Sequence, residues 1–239
     1  MSPLRYPTIV LLYGADKPTE LRSLLGDLQA RIADAVGAHF LPRPVHDIHA
    51  TLIGLESGGP IADGAVPAID IDGLCRHLDE TLTRSPLRLR FGGFTDRVHS
   101  VSSRGQSLYE RALTVSGDKV VLIGWPVDGR GQPTWRLEEL RRELGRFGAR
   151  HRYHPTPDPD AYLVIGELLD GWDPARLDAC VARCRSTLSR APCEVQVSGV
   201  NAGLAIYTDT RLPAESTMLV PLSEASRRLR RRRPPHLLG

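Results

Sequence analysis

His49 and Thr51 are the residues whose types and spacing could do chemistry together. They sit in the run His46-Asp47-Ile48-His49-Ala50-Thr51-Leu52-Ile53-Gly54-Leu55. Its alternation predicts a strand with Ile48, Ala50 and Leu52 on one face and His49, Thr51 and Ile53 on the other. An imidazole exchanges a proton near neutral pH, and a hydroxyl two residues on can hold the same oxyanion. The pair could therefore grip one phosphate and move a proton beside it. The same letters also describe a half-buried strand with one polar pair facing solvent.

Other residues are candidates by type. Asp47 could orient an imidazole, and equally fits ordinary turn chemistry. Arg88 and Arg90 share one strand face, with Phe91 next to them, and read as a basic wall or a wet sheet face. Arg104 follows a stretch from His99 to Ser103 and could clamp a phosphate bidentately. Tyr153 and Trp125 could stack a base or fill a core. Arg227-Arg228-Leu229-Arg230-Arg231-Arg232-Arg233 is a charge run expected to be solvated, with salt-dependent affinity for RNA or another polyanion.

The elements that must position these residues follow from pattern. Of 239 residues, 41% are hydrophobic and 25% charged, an ordinary globular balance, with a net charge of +3. Thr8–Tyr13, Val120–Trp125 and Ala161–Leu169 are apolar runs that predict buried strands. Leu87–Phe91 and Glu194–Gly199 alternate as strands. Further strands are predicted at His99–Ser103, Leu204–Thr208 and Met218–Leu222. Leu21, Leu24, Leu25, Leu28, Ile32 and Val36 recur at helical spacing in a helix expected to be capped by Asp16, with Pro18 in the first turn and Gly37 at the end. Leu74, Leu78 and Leu82 mark a second helix, Leu108–Leu113 a short one, and Leu137, Leu140, Leu144 and Phe147 a third stripe, capped by Thr134. Leu177, Val181, Cys184 and Leu188 follow Asp173-Pro174.

The order strand, helix, linker, strand, helix, alternating strand occurs twice. Thr8–Tyr13 matches Val120–Trp125, Ile48–Leu55 matches Ala161–Leu168, and Leu87–Gly93 matches Glu194–Gly199. The expected fold is α+β: two pseudo-symmetric lobes, residues 1–115 and 116–224, each an antiparallel sheet with helices on its outer face and a cleft between. Residues 225–239 are read as a disordered, Arg-rich tail.

A His-x-Thr strand after the first helix of such a duplicated chain resembles the 2H phosphoesterase superfamily. At residue level the likeness is carried by Val45–Glu56. It includes RNA 2′,3′-cyclic phosphodiesterases and 2′-5′ RNA ligase-like proteins. The resemblance implies two motifs facing each other, one histidine as general base and one as general acid, with no metal or cofactor. It makes His49 an acid–base residue and Thr51 a phosphate-binding hydroxyl. The matching strand, Asp160-Ala161-Tyr162-Leu163-Val164, sets Tyr162 against His49 and Val164 against Thr51. A phenol with an unperturbed pKa of about 10 is a poor general base at pH 7. Tyr162 is thus a substrate-binding or catalytic candidate, with His154 of His154-Pro155-Thr156, or His151, as alternative sources of an imidazole. Arg88, Arg104, His151 and Tyr162 form the expected substrate-binding set.

The expected ligand is a nucleotide or RNA phosphate. The alternatives are a catalytically silent nucleotide- or RNA-binding relative, and a scaffold that docks through its tail. No phosphate-binding P-loop, dinucleotide fingerprint or Gly-x-Ser-x-Gly elbow is present, which argues against an NTPase, a dehydrogenase and an α/β-hydrolase. No apolar run reaches the ~20 residues of a membrane helix. Cys75, Cys180, Cys184 and Cys193 show no Cys-x-x-Cys pair, so free thiols and a cytoplasmic setting are expected. A monomer is the expected state.

Overall fold

The computed structural model describes residues 5–55, 69–150 and 157–225. The fold is α+β, built on one large antiparallel sheet. Its strands are β1 (Tyr6–Leu11), β2 (Phe40–Pro42), β3 (Ala50–Gly54), β4 (Leu87–Phe91), β5 (Leu113–Ser116), β6 (Lys119–Pro126), β7 (Ala161–Leu168), β8 (Cys193–Val197), β9 (Ala202–Tyr207) and β10 (Met218–Pro221). The helices are α1 (Thr19–Val36), α2 (Ile71–Arg84), α3 (Leu108–Arg111), α4 (Arg136–Glu143) and α5 (Pro174–Arg190). The sheet runs β10-β9-β1-β3-β7-β6-β4-β8, with β2 added to β7 and β5 to β6. The two halves of the chain share this sheet and interleave in it. β9 pairs with β1, and β4 lies between β6 and β8.

The local rules explain most elements. α1 buries Leu21, Leu25, Leu28, Ile32 and Val36 and ends where Gly37 takes a positive φ. Asp173 caps α5 by accepting from the Ala175 and Arg176 amides, with Pro174 in the first turn. α1 and α5 pack on each other, and α1 also lies against β2, β7 and β8. Cys75, Cys180 and Cys184 are buried free thiols, and Cys193 is half-buried. Among the described residues no helix is long and apolar enough to cross a membrane.

Some expectations need correction. Asp16 does not cap α1; Pro18 is still extended at ψ 139°, so the helix starts at Thr19. Thr134 does not cap α4; its hydroxyl reaches the Pro126 carbonyl, and the helix follows Trp135. His99–Ser103 is not a strand. Arg104 and Gly105 both take positive φ, and this tight turn closes only one rung, between Ser103 and Gln106. Leu113, read as the end of a helix, instead opens β5, which pairs with β6.

The alternation through the His49 stretch is also broken. Val10 faces Thr51 across the ladder while Ile9 faces Ile53, so a bulge lies at Leu52. Directly paired residues share a face, and Ile9 and Val10 point oppositely. Ile53 therefore turns into the core with Ile9, away from Thr51, and is fully buried. One side of β1 holds Ile9 and Leu11 in the main core. The other holds Val10 in a smaller cluster with Ala205, Tyr207 and Leu212, flanked by Tyr6 and Tyr13.

Candidate functional site

His49 lies just before β3 and is only 9% exposed. A tight turn delivers it. The Asp47 amide bonds the Pro44 carbonyl, and the Gly14 amide bonds the His46 carbonyl. The Asp47 carbonyl then lies 2.7 Å from His49 Nδ1. A carbonyl can only accept, so Nδ1 carries the hydrogen. Burial, reinforced by the charges of Arg43 and Lys17, pushes the imidazole down to about 4 against the support of that backbone bond. The ring is thus neutral at pH 7, with its lone pair on Nε2. Among the described residues no donor is bonded to Nε2. An imidazole in this state can take a proton.

Three further groups surround it. The Tyr13 ring stands edge-on to His49, with centroids 5.7 Å apart and planes at 67°. Its hydroxyl donates to the Leu212 carbonyl at 2.8 Å, and burial raises the phenol above its usual range. Lys17 is buried and donates to the Leu12 carbonyl at 2.5 Å. Burial lowers its ammonium to about 8, against the pull of Asp47. The Asp47 carboxylate is also buried. It accepts from the Ala214 amide at 3.1 Å and lies 3.3 Å from His46 Nε2. Arg43 reaches Glu167 at 3.5 Å, and Arg211 reaches the same carboxylate at 2.9 Å.

Thr51 is half-buried beside β1, paired with Val10. Ala50 pairs with Leu163, the single rung that joins β3 to β7. Tyr162 and Val164 flank Leu163, so they share the sheet face of Thr51. That face also carries His49, through its contact with Tyr13 beside the Val10 cluster. The next rung would set Thr51 opposite Tyr162, but there the two strands part. The guanidinium of Arg141, from α4, fills the fork. It donates to the carbonyls of Thr51 at 3.1 Å, Leu52 at 2.8 Å, Asp158 at 2.5 Å and Asp160 at 3.0 Å. Asp160 is itself buried. Its carboxylate accepts from Trp125 Nε1 at 2.8 Å and the Ser103 hydroxyl at 2.7 Å, and burial raises it above the usual carboxylate range, with Asp158 adding to the shift.

The other sequence candidates lie elsewhere. Arg88, on β4, pairs with Glu194 at 3.1 Å. It is three strands from β3 in the sheet order, about 14 Å at the usual strand spacing. Arg90 is held by the same Glu194 and by the Gly131 carbonyl. Arg104 forms the exposed tight turn after Ser103. Trp125 is fully buried against Phe94 and belongs to the core. His151, Tyr153, His154 and the Arg-rich run from 227 lie outside the described residues.

Tyr13, Lys17, Arg43 and Arg141 were not singled out from sequence. Lys17 carried a faint signal, as one of only two lysines, with Lys119, in a chain otherwise using arginine. Tyr13 read simply as the end of an apolar strand. Nothing local marks Arg141 as the residue that fills a fork between two distant strands.

No family model matches this sequence, and no curated protein does. Solved structures resemble it. The conserved protein of unknown function ATU0111 from Agrobacterium tumefaciens aligns with a TM-score of 0.50 at 14% identity, over 87% of this chain and 83% of that one. TT0787 of Thermus thermophilus aligns at 0.44 and 14% identity, over 90% and 93%. A structure named as that of a phosphoesterase aligns at 0.39 and 16% identity, over 92% and 95%. The first of these likenesses shows a shared α+β fold.

Proposed function

We propose that this chain is a phosphodiesterase of the 2H type, acting on a cyclic phosphate or a nucleotide or RNA end by general acid–base chemistry. The observation that carries the reading is the state of His49: neutral, with Nδ1–H held by a carbonyl and a lone pair on Nε2, on the same sheet face as the Thr51 hydroxyl. In this reading Nε2 takes the proton of water or of a ribose hydroxyl as it attacks phosphorus. The Thr51 hydroxyl donates to a phosphate oxygen, and Lys17 and Arg43 supply positive potential for the anion. The leaving oxygen is protonated by Tyr162, which shares the face, or by His154 in the connector before β7. Arg104 and His151 stay in the proposal as outer contacts for the ligand. Arg88, bound to Glu194 and about 14 Å away at the usual strand spacing, fits a longer RNA better than a single nucleotide. The C-terminal arginines add salt-dependent affinity for such a chain.

The test is turnover of a 2′,3′-cyclic nucleotide by the purified protein with chelator present. His49→Ala is expected to lower kcat by at least about 100-fold, the usual range for a lost general base. Tyr162→Phe and His154→Ala then separate the two candidate acids. A second reading is a silent binder. Val164, where a second hydroxyl would stand, favours it. Binding of a nucleotide that His49→Ala abolishes, with no turnover by the native chain, would select that reading instead.

A further inference from the structure

The segment between β9 and β10 is fastened to Tyr13 and Asp47, the two residues that contact the His49 ring. Its Leu212 side chain is buried in the small cluster with Val10, Ala205 and Tyr207, on the sheet face that carries Thr51. Three attachments hold the segment across three strands. The Tyr13 hydroxyl donates to the Leu212 carbonyl at 2.8 Å, just past β1. The Ala214 amide donates to Asp47 at 3.1 Å, just before β3. Arg211 reaches Glu167 on β7 at 2.9 Å. His49, whose ring stands edge-on to Tyr13 and bonds the Asp47 carbonyl, is 9% exposed. At that exposure little of the imidazole is open to a substrate phosphate.

The attachments are unequal. Leu212 and Tyr13 are inward, whereas the Arg211 side chain is 62% exposed, and a pair of that kind is weak and screened by salt. Glu167 is also shared. Arg43 contacts its other oxygen at 3.5 Å, and the Arg43 charge is close enough to depress His49. One carboxylate therefore occupies two guanidiniums beside the imidazole. A phosphate offers the same acceptor geometry with more charge.

We propose that Asp209–Thr217 is a lid over His49, and that Arg211 is its latch, exchanged from the Glu167 carboxylate to the phosphate of a bound ligand. Opening frees the Leu212 plug and admits the anion. Reclosure brings Arg211 down on it alongside Arg43. The lid rests on geometry alone, and the exchange rests on the phosphoesterase reading above.

Two measurements on the full chain separate these parts. The first is the rate at which diethyl pyrocarbonate modifies His49 without ligand, followed by peptide mass mapping. Glu167→Gln and Arg211→Gln are each expected to raise that rate about threefold or more, as a weakened closed state opens more often. An unchanged rate in both variants overturns the lid. The second is binding of inorganic phosphate, followed by the His49 imidazole NMR signals. Removing the competing carboxylate in Glu167→Gln is expected to tighten binding, and Arg211→Gln to weaken it. A residue with a purely structural role would shift both variants the same way, and that outcome overturns the exchange. Absence of phosphate binding in every protein overturns the phosphate reading together with the exchange, while the labelling decides the lid by itself.

Discussion

Between pH 6.5, where an ordinary histidine titrates, and about 4, where buried His49 does, the unfolded chain binds a proton at this site that the folded chain refuses. Stability therefore rises with pH through this window and is lost as the pH falls through it. A shift of this size corresponds to about 3 kcal/mol. Replacing His49 by Gln removes the titration. The wild type is expected to lose more stability than His49→Gln between pH 7 and pH 4.5, measured by urea midpoints at each pH. Other acid-sensitive groups act on both proteins alike, so the difference isolates His49. The same burial that makes the imidazole costly in acid keeps its Nε2 lone pair available at neutral pH. Stability and the proposed base chemistry are two consequences of one environment.

At the scale of elements, the decisive feature is the parting of β3 from β7 after the rung Ala50–Leu163. Central strands that separate leave backbone carbonyls without ladder partners, and a buried unpaired carbonyl is costly. Arg141 answers this with one planar group that serves four carbonyls, while its charge lies 3.5 Å from the Asp158 carboxylate. Arg141→Met is expected to destabilise the protein by about 3–5 kcal/mol, because it leaves the carbonyls without their donors and takes the guanidinium charge away from the buried Asp158 carboxylate. Arg141→Lys should recover little of this, since an ammonium has three donors and no fork. Chemical denaturation of both variants checks the order. Through the Thr51 and Leu52 carbonyls the same guanidinium holds the backbone of the proposed site, so Arg141→Lys should also lower turnover where His49 and Thr51 remain.

At the scale of the molecule, the interleaving of strands matters most. β1 takes β9 as a neighbour, and β4 sits between β6 and β8, so each half of the chain completes the other's sheet. A fragment ending at residue 115 would expose the long edges of β1 and β4 with no partner. Fragments 1–115 and 116–239 are each expected to remain largely unfolded alone and to gain strand structure when mixed, as read by circular dichroism. Two lobes that folded separately would each show a native spectrum on their own. The proposal of two like lobes, residues 1–115 and 116–224, therefore concerns halves that share one sheet.

The strands, helices and their apolar faces were legible from sequence, because each depends on periodicity within ten or twenty residues. The Leu87–Phe91 and Ala161–Leu168 strands and the stripe of α1 are examples. So was a strand through Thr51, although His49, expected within it, lies just before β3. The failures share one cause. Asp16, Thr134 and His99–Ser103 had plausible local signals, but Pro18, the Pro126 carbonyl and the turn at Arg104-Gly105 decided those sites. The bulge that sends Ile53 into the core is set by pairing with β1, which no residue of β3 announces. Sequence alone determined an antiparallel α+β scaffold, and it set an imidazole and a hydroxyl as the pair to look for on it. Only the tertiary structure decided that burial depresses the imidazole, that Arg141 fills the fork between β3 and β7, and that the β9–β10 segment is tied to Tyr13, Asp47 and Glu167. Those properties depend on burial, on shared hydrogen bonds and on charges brought from Lys17, Arg43, Glu167 and Arg211. These lie far apart in the chain and meet only when the sheet closes around them.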